Sequence, residues 1–453
     1  MTHKLALPIA LFAASAMLFG SQDQRVAIGI AGAGGSAPHL AIPSFVVLTA
    51  DQDTQEAAKT LTDVLRADLA FEREFDVMPA SAFAGIPSAQ TIEDLPYERW
   101  SQLNADYVAL GSVQKAANGQ LLVEVRVVSV KERRQAYGRQ MTGQARSGRR
   151  VAHAFSDEIH KQIRGVDGVA LTRIAFSSTR DAERVGKTVQ DRTAKEIYIM
   201  DYDGANQQRV TPNRNLNISP AWCPGNQCIA YTTYTSGYQD FVVQNIFGQI
   251  GVTNPAKGTD VVQNSLPAFS PDGGRIAFSS TRNGAAADIY MVNRDGSGLR
   301  QLTNNRAIDN AAAWSPTGNL IAFVSDRTGS PKIYTMSPEG GQQQMVPTSC
   351  SRCDRPTWGP GATGMLLAYT AQTSAAGHDI EMYDFSTQQV RRLTNGEGTN
   401  ESPSFSPNGR HVVFFTSRWG NMQLAMVDID GKNLRRLTEV GNNTYPSWSG
   451  FQK

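Results

Sequence analysis

Along the C-terminal two thirds of this chain, a short polar group stands just ahead of each of six regularly spaced aromatic residues. The groups are Asn217 and Ser219, Gln263 and Asn264, Asp309 and Asn310, Asp354 and Arg355, Asn400 and Glu401, and Thr444 and Tyr445. Such a set of amides, carboxylates and one guanidinium can make many hydrogen bonds to a protein surface without doing covalent chemistry. Residues for catalysis are hard to assemble. The Gly-x-Ser-x-Gly elbow that presents a hydrolase serine does not occur anywhere. The six histidines, His3, His39, His153, His160, His378 and His411, are scattered and make a poor ligand set for a transition metal. Asp309, Asp354 and Glu401 are the carboxylates that can gather a hard cation, a structural one, if the fold brings them together. The glycine patch Gly32-Ala33-Gly34-Gly35 lacks the Lys-Ser/Thr ending of a phosphate loop. No catalytic residue, cofactor or metal is assigned.

The elements that position these groups follow from a repeat. The aromatics are Trp222, Phe269, Trp314, Trp358, Phe405 and Trp448, spaced by 47, 45, 44, 47 and 43 residues, the length of one four-stranded propeller blade. After the aromatic come turns such as Ser270-Pro271-Asp272-Gly273, then apolar strands such as Ile276-Ala277-Phe278, then Ile289-Tyr290, then an Asp295-Gly296 turn and Leu302-Thr303. The first Ile-Ala-Phe phrase, at Ile174, has no aromatic phrase before it, and the last aromatic phrase, at Trp448, has no Ile-Ala-Phe after it. One blade is therefore expected to be built from both ends, with the C-terminal strand closing the ring and removing open sheet edges. The polar groups stand where the chain enters the inner strands, so they gather at one end of the channel. Small residues before the aromatics, Ala221, Ala268, Ala313, Thr357, Ser404 and Ser447, suit strands converging on the axis.

Ahead of the propeller, residues 42–168 read as a small α/β domain with its own core. Strands are expected at Ile42–Leu48, Phe75–Met78, Tyr107–Val113, Leu121–Val130 and Gln135–Thr142, and helices around Ala57–Leu69, Tyr97–Leu103 and Val151–Ile163. Residues 1–21 read as a secretory signal, a basic start followed by an apolar run too short to span a bilayer, with cleavage between 16 and 24. Residues 22–41 read as a flexible arm in which Val26, Ile28 and Ile30 share one face if it adds as an edge strand to a partner. In an exported chain, the pairs Cys223 with Cys228 and Cys350 with Cys353 read as disulfides; zinc is the rival, but the pairs fall in different blades with no histidine near. With 43 Lys and Arg against 41 Asp and Glu and no long basic run, nucleic acid is not an expected partner.

Taken together, the signal, the α/β domain and the blades with their Ser-Pro-Asp-Gly, Ile-Ala-Phe-x-Ser and Asp-Gly phrases resemble the TolB family, the periplasmic component of the Tol-Pal cell envelope system. The blade phrases also occur in peptidases and lyases; the domain order and the stop right after blade closure make the likeness specific. The resemblance implies a periplasmic, monomeric, non-enzymatic adaptor without membrane insertion that serves outer-membrane integrity and envelope constriction during cell division. It implies that arm residues Arg25, Val26, Ala27, Ile28 and Ile30 recognise TolA, although this arm has almost no acidic residues and extra glycine. It further implies that the rim of the propeller docks the peptidoglycan-associated lipoprotein Pal, with outer-membrane proteins as further partners. By position, the Pal contacts are Asn217, Ser219, Gln263, Asn264, Asp309, Asn310, Asp354, Arg355, Asn400, Glu401 and Tyr445, Gln263 standing where the family can have a histidine. The alternative is a propeller enzyme or binding protein acting on an oligosaccharide, lyase-like.

Overall fold

The computed structural model describes residues 36–452 apart from 88, 182–193, 249–250, 285, 363 and 375–376. The signal at 1–21 and the arm residues Arg25, Val26, Ala27, Ile28 and Ile30 lie outside the described residues.

The α/β domain is a mixed sheet of β1 (His39–Ala41), β2 (Val46–Val47), β3 (Asp76–Val77), β4 (Tyr107–Lys115), β5 (Leu121–Ser129) and β6 (Arg134–Gly143), in the order β3-β1-β4-β5-β6, with β2 on β4. Two expectations shift here. The part of the expected arm from His39 to Ala41 is a central strand, parallel to β3 and β4, with Leu40 and Ala41 buried. The strand expected over Ile42–Leu48 is broken, and Pro43, which has no N–H to give the ladder, stands at the break. Helices α1 (Gln52–Phe71) and α3 (Gly148–Ile159) pack Leu61, Leu65, Phe155 and Ile159 on one sheet face, and α2 (Tyr97–Gln102) packs Trp100 on the other. Asp51 caps α1 by accepting from the Thr54 N–H at 3.2 Å.

The propeller has six four-stranded sheets. Blade 1 joins the C-terminal strand Asn443–Trp448 to Arg173–Ser178, Glu196–Asp201 and Gln208–Arg209. Blades 2 to 6 follow in chain order, with inner strands Asn217–Trp222, Asn264–Phe269, Asp309–Trp314, Cys353–Pro360 and Asn400–Phe405. The recurring phrases have identifiable tasks. In the Ser-Pro-Asp-Gly turn, Ser270 Oγ accepts from the Arg275 N–H at 2.9 Å and Gly273 takes a φ of 73°. The threonine that ends the fourth strand accepts from the third strand: Ile197 N–H to Thr211 at 2.8 Å, and Ile289, Ile380 and Leu424 N–H to Thr303, Thr394 and Thr438 at 2.9 Å.

The α/β domain docks on the hairpin end of blades 6 and 1. Phe71, the last residue of α1, enters the apolar cluster of Phe176, Tyr202, Phe415 and Trp448. Around it lies a buried charged network. Arg410 donates to the Glu72 carbonyl at 2.7 Å and to Glu74 Oε1 at 2.6 Å; His411 sits between Asp428 Oδ1 at 2.8 Å and Glu72 Oε2 at 3.2 Å; Arg73 reaches Asp428 and Asp430 at 3.0 Å each. Burial by itself would lower the His411 pKa, but the Glu72 and Asp428 carboxylates raise it. Burial by itself would raise the Glu72 and Asp428 pKa values, and His411 and its cationic neighbours hold both below the usual range.

Trp448 is 6% exposed and its Nε1 donates to Thr172 Oγ1 at 2.8 Å, so Trp448→Ala is expected to lower unfolding stability in urea by about 3–5 kcal/mol, whereas a surface-like loss under about 0.5 kcal/mol would refute its role in closure. A histidine whose folded pKa is raised stabilises below its unfolded value and loses that contribution as pH rises through the folded one. Thermal stability is therefore expected to fall above about pH 6.5 more steeply in the native protein than in His411→Gln, and equal slopes would rule out His411 as the titrating group. On the acid side, the depressed Glu72 and Asp428 lose their contribution as pH drops through their folded values.

Candidate functional site

The inner strands start at the propeller end opposite the α/β domain, because the first residue of each pairs with the last of the second strand, as Asn264 does with Ser280. Docking contacts lie at the other end, in the hairpin and turn residues Asn408, Arg410 and Asp430. The rim is thus left uncovered by the chain's own second domain.

At the rim, one-residue differences in register separate structural groups from accessible ones. The first residue of each inner strand is buried: Asn217, Asn264, Asp309, Asn400 and Asn443 have 0% exposure and Cys353 has 1%. The four asparagines tie neighbouring blades together. Asn217 donates to Glu196 of blade 1 at 3.0 Å and accepts from Thr233 of its own blade at 2.7 Å; Asn264 donates to Asp240 at 3.0 Å, Asn400 to Asp379 at 3.1 Å and Asn443 to Gln423 at 3.0 Å. Asp309 accepts from Arg327 at 3.1 Å and from Asn305 at 2.6 Å. The expectation that Asn217, Asn264, Asp309 and Asn400 face a partner is therefore corrected: a contact with them requires opening the blade seam, which strands buried polar groups. In blade 5 the brace position is Cys353, bonded to Cys350, so the polar pair there begins one residue later in register. Cys223 is bonded to Cys228 across the hairpin of blade 2.

The third residue of each inner strand, Ser219, Leu266, Ala311, Arg355, Ser402 or Tyr445, has a φ of 52° to 54°. Six non-glycine residues in the left-handed region form a ring around the axis, each at the break in register with the second strand. The conformation costs about 1–2 kcal/mol per residue. Hydroxyls of the preceding blade offset part of it: Leu266, Ala311 and Ser402 N–H donate to Thr232, Ser279 and Thr370 at 3.0, 3.2 and 2.9 Å. Proline follows in all but Ala311-Ala312, where no ladder donor is needed. The ring encloses a cavity of about 180 Å³, and Arg355 crosses it, donating to Ser219 Oγ at 3.2 Å from the opposite blade and lying 4.7 Å from the Tyr445 ring centre.

In blades 4, 5 and 6 the second residue of the inner strand lines a recess. Asn310, Asp354 and Glu401, from blades 4, 5 and 6, share a recess of about 230 Å³ with Arg352 and His378. His378 Nδ1 is 3.6 Å from Glu401 Oε1, and Thr399 donates to that carboxylate oxygen at 2.8 Å. Asp354 and Gln263 are exposed, Glu401, Arg355 and Tyr445 half-buried, and Ser219 is reached from the channel. Apolar Val261, Ile308, Trp419 and Val440 are exposed in loops at the same end. His378 and Arg352 were not singled out from the sequence, although His378 two residues ahead of the third-strand Ile380 places it at the rim by register alone. Among the described residues no three His, Cys, Asp or Glu side chains are placed to hold a metal ion; Asp309, expected with Asp354 and Glu401 around a cation, is instead taken up by Arg327.

Fold and rim define a two-domain protein in which an α/β domain covers one end of a six-bladed propeller and leaves the other end open. The TolB amino-terminal domain family model matches residues 26–136 and the TolB beta propeller domain model residues 160–452. The Tol-Pal system protein TolB of Bordetella pertussis is 31% identical over 447 residues, 98% of this chain and 95% of that one. Its counterpart in Bordetella bronchiseptica is 31% identical over 98% of this chain and 94% of that one. The crystal structure of TolB from Acinetobacter baumannii matches with a TM-score of 0.73 and 25% identity, over 93% of this chain and 98% of that chain. The chain belongs to the TolB family of Tol-Pal system proteins. Among the described residues no helix is long and apolar enough to cross a membrane.

Because Arg355 bridges opposite blades, Arg355→Ala is expected to lower unfolding stability by about 1–2 kcal/mol, and Ser219→Ala added to it to cost almost nothing more. Additive losses in that double-mutant cycle would show that the cross-channel bond carries no weight.

Proposed function

We propose that this protein is a non-enzymatic adaptor of the cell envelope that works as a monomer in the periplasm, binding Pal through the propeller rim and TolA through the N-terminal arm. In this reading it serves outer-membrane integrity and constriction of the envelope at division, with outer-membrane proteins as further partners. The observation that carries it is the uncovered rim: the α/β domain occupies the opposite end, and the rim combines a recess of Asn310, Asp354, Glu401 and His378 with exposed Val261, Ile308, Trp419 and Val440. A polar recess beside scattered apolar side chains is the composition of a protein interface. In this reading the contacts are Gln263, Asn310, Asp354, Arg355, Glu401 and Tyr445, which are exposed or half-buried, with Ser219 at the channel mouth.

The test is titration calorimetry of the mature protein against the periplasmic domain of its own Pal. One-to-one binding is expected, weakened by about tenfold or more in Asp354→Ala and Glu401→Ala and unchanged in Arg134→Gln on the α/β domain. No binding by folded protein would sink the Pal assignment and turn attention to an oligosaccharide at the rim.

A further inference from the structure

A further cavity, of about 380 Å³, lies between the α/β domain and blade 1. One wall is the start of α3, with Arg146, Arg149, Arg150 and His153; the other wall carries Arg173 and Asp201 from the propeller. Four guanidiniums thus converge on one space. Arg146 is exposed and makes no ion pair among the described residues, Arg150 reaches only Gln452 at 3.4 Å, and Arg173 lies 5.2 Å from the Phe247 ring centre. Arg149 pairs with Asp203 across the domain boundary. Against the four guanidiniums stand the carboxylates of Asp201 and Asp203; Asp68 is paired with His153, and Asp157, whose carboxyl burial pushes up to about 7, accepts from the Ala170 and Leu171 N–H groups behind the wall, so positive charge is in excess.

Two buried donors on this wall lack partners. His153 is 3% exposed; its Nδ1 is 2.7 Å from Asp68 Oδ2, while its Nε2 has no hydrogen bond and lies 4.0 Å from Asp201 Oδ2. Nε of Arg149 is likewise buried and unbonded. Buried donors without acceptors are costly, so two beside one polar cavity call for an acceptor. The N-cap residue of α3, Ser147, makes no side-chain cap bond, so the positive end of a 12-residue helix is added to the same wall. Burial by itself would lower the His153 pKa, but Asp68, with Asp203 and Asp201 behind it, raises it, which favours a proton on both ring nitrogens.

We propose that this cavity is an oxyanion site for a phosphate-bearing ligand, and that the ligand bridges the α/β domain to blade 1. A tetrahedral dianion matches the excess charge, and its several acceptor oxygens can be met from both walls, whereas a carboxylate presents its acceptors in one plane. The volume exceeds that of a bare phosphate and leaves room for a small ester substituent, so inorganic phosphate and a phosphomonoester headgroup share the chemistry. Since Arg146, Arg149 and Arg150 belong to one domain and Arg173 to the other, occupancy removes a like-charge repulsion across the boundary and tightens the docking.

The experiment is calorimetric titration and thermal unfolding of the mature protein with inorganic phosphate and with glycerol 3-phosphate, at ionic strength held constant with sodium chloride. Saturable binding and a ligand-dependent rise in unfolding temperature are expected, with affinity reduced about tenfold in Arg146→Gln and in Arg173→Gln and unchanged in Arg134→Gln. The His153 ring nitrogen resonances are expected to shift on titration in the native protein. Tighter binding of the ester identifies a headgroup as the ligand, tighter binding of inorganic phosphate the free anion. The absence of saturable binding, or equal affinity in Arg146→Gln, whose exposed side chain can be changed without disturbing the fold, overturns the proposal.

Discussion

Ring closure is the constraint on which the rest depends. The strand Asn443–Trp448 pairs antiparallel with Arg173–Ser178, so residues about 270 positions apart share one ladder and the sheets form a ring. Loop-closure entropy for so long a span grows only slowly with length, while the packing recovered on both faces of the closing strand is that of a full blade. The same junction anchors the second domain, because the Phe71 side chain of α1 enters the cluster that contains Trp448 and Phe415. Opening the ring would therefore loosen the domain interface as well.

Around the ring, apolar packing between sheets is supplemented by a polar brace at four of the six seams. There an asparagine at the first position of the inner strand meets the acid or amide at the start of the preceding blade's third strand, and Thr211, Thr394 and Thr438 deliver a hydroxyl to three of these places. Buried polar networks of this kind are sensitive to geometry: fully paired they specify one arrangement, and half-paired they penalise every other. The seam therefore fixes how blades are oriented about the axis and holds the left-handed ring that shapes the channel mouth.

The domain interface behaves differently, since its charges are both numerous and buried. Arg410, His411, Glu72, Glu74 and Asp428 neutralise one another at hydrogen-bond or ion-pair distance, an arrangement that contributes specificity of docking more than net stability. The boundary with blade 1, beside that network, lacks such balance: Arg146, Arg149 and Arg150 of the α/β domain and Arg173 of the blade line one open cavity with Asp201. One boundary thus holds a self-neutralised patch beside a cationic one.

The sequence by itself determined the blade number, the blade assembled from both ends, the position of the rim and the helices of the α/β domain. These rest on local chemistry repeated many times: Pro and Gly at turns, Ile-Ala-Phe strands, the apolar face of Leu61, Leu65 and Leu69. Tertiary structure alone decided which member of each polar pair is accessible, because a bulge in the inner strand sets the register and a neighbouring blade supplies the burial. Asn264 and Gln263 are adjacent and chemically alike, yet one is a seam brace and the other is exposed. It also decided the meetings of distant residues, such as Glu72 with His411 and Arg146 with Arg173. Their spacing carries no period, and only the relative placement of two independently folded cores brings them together.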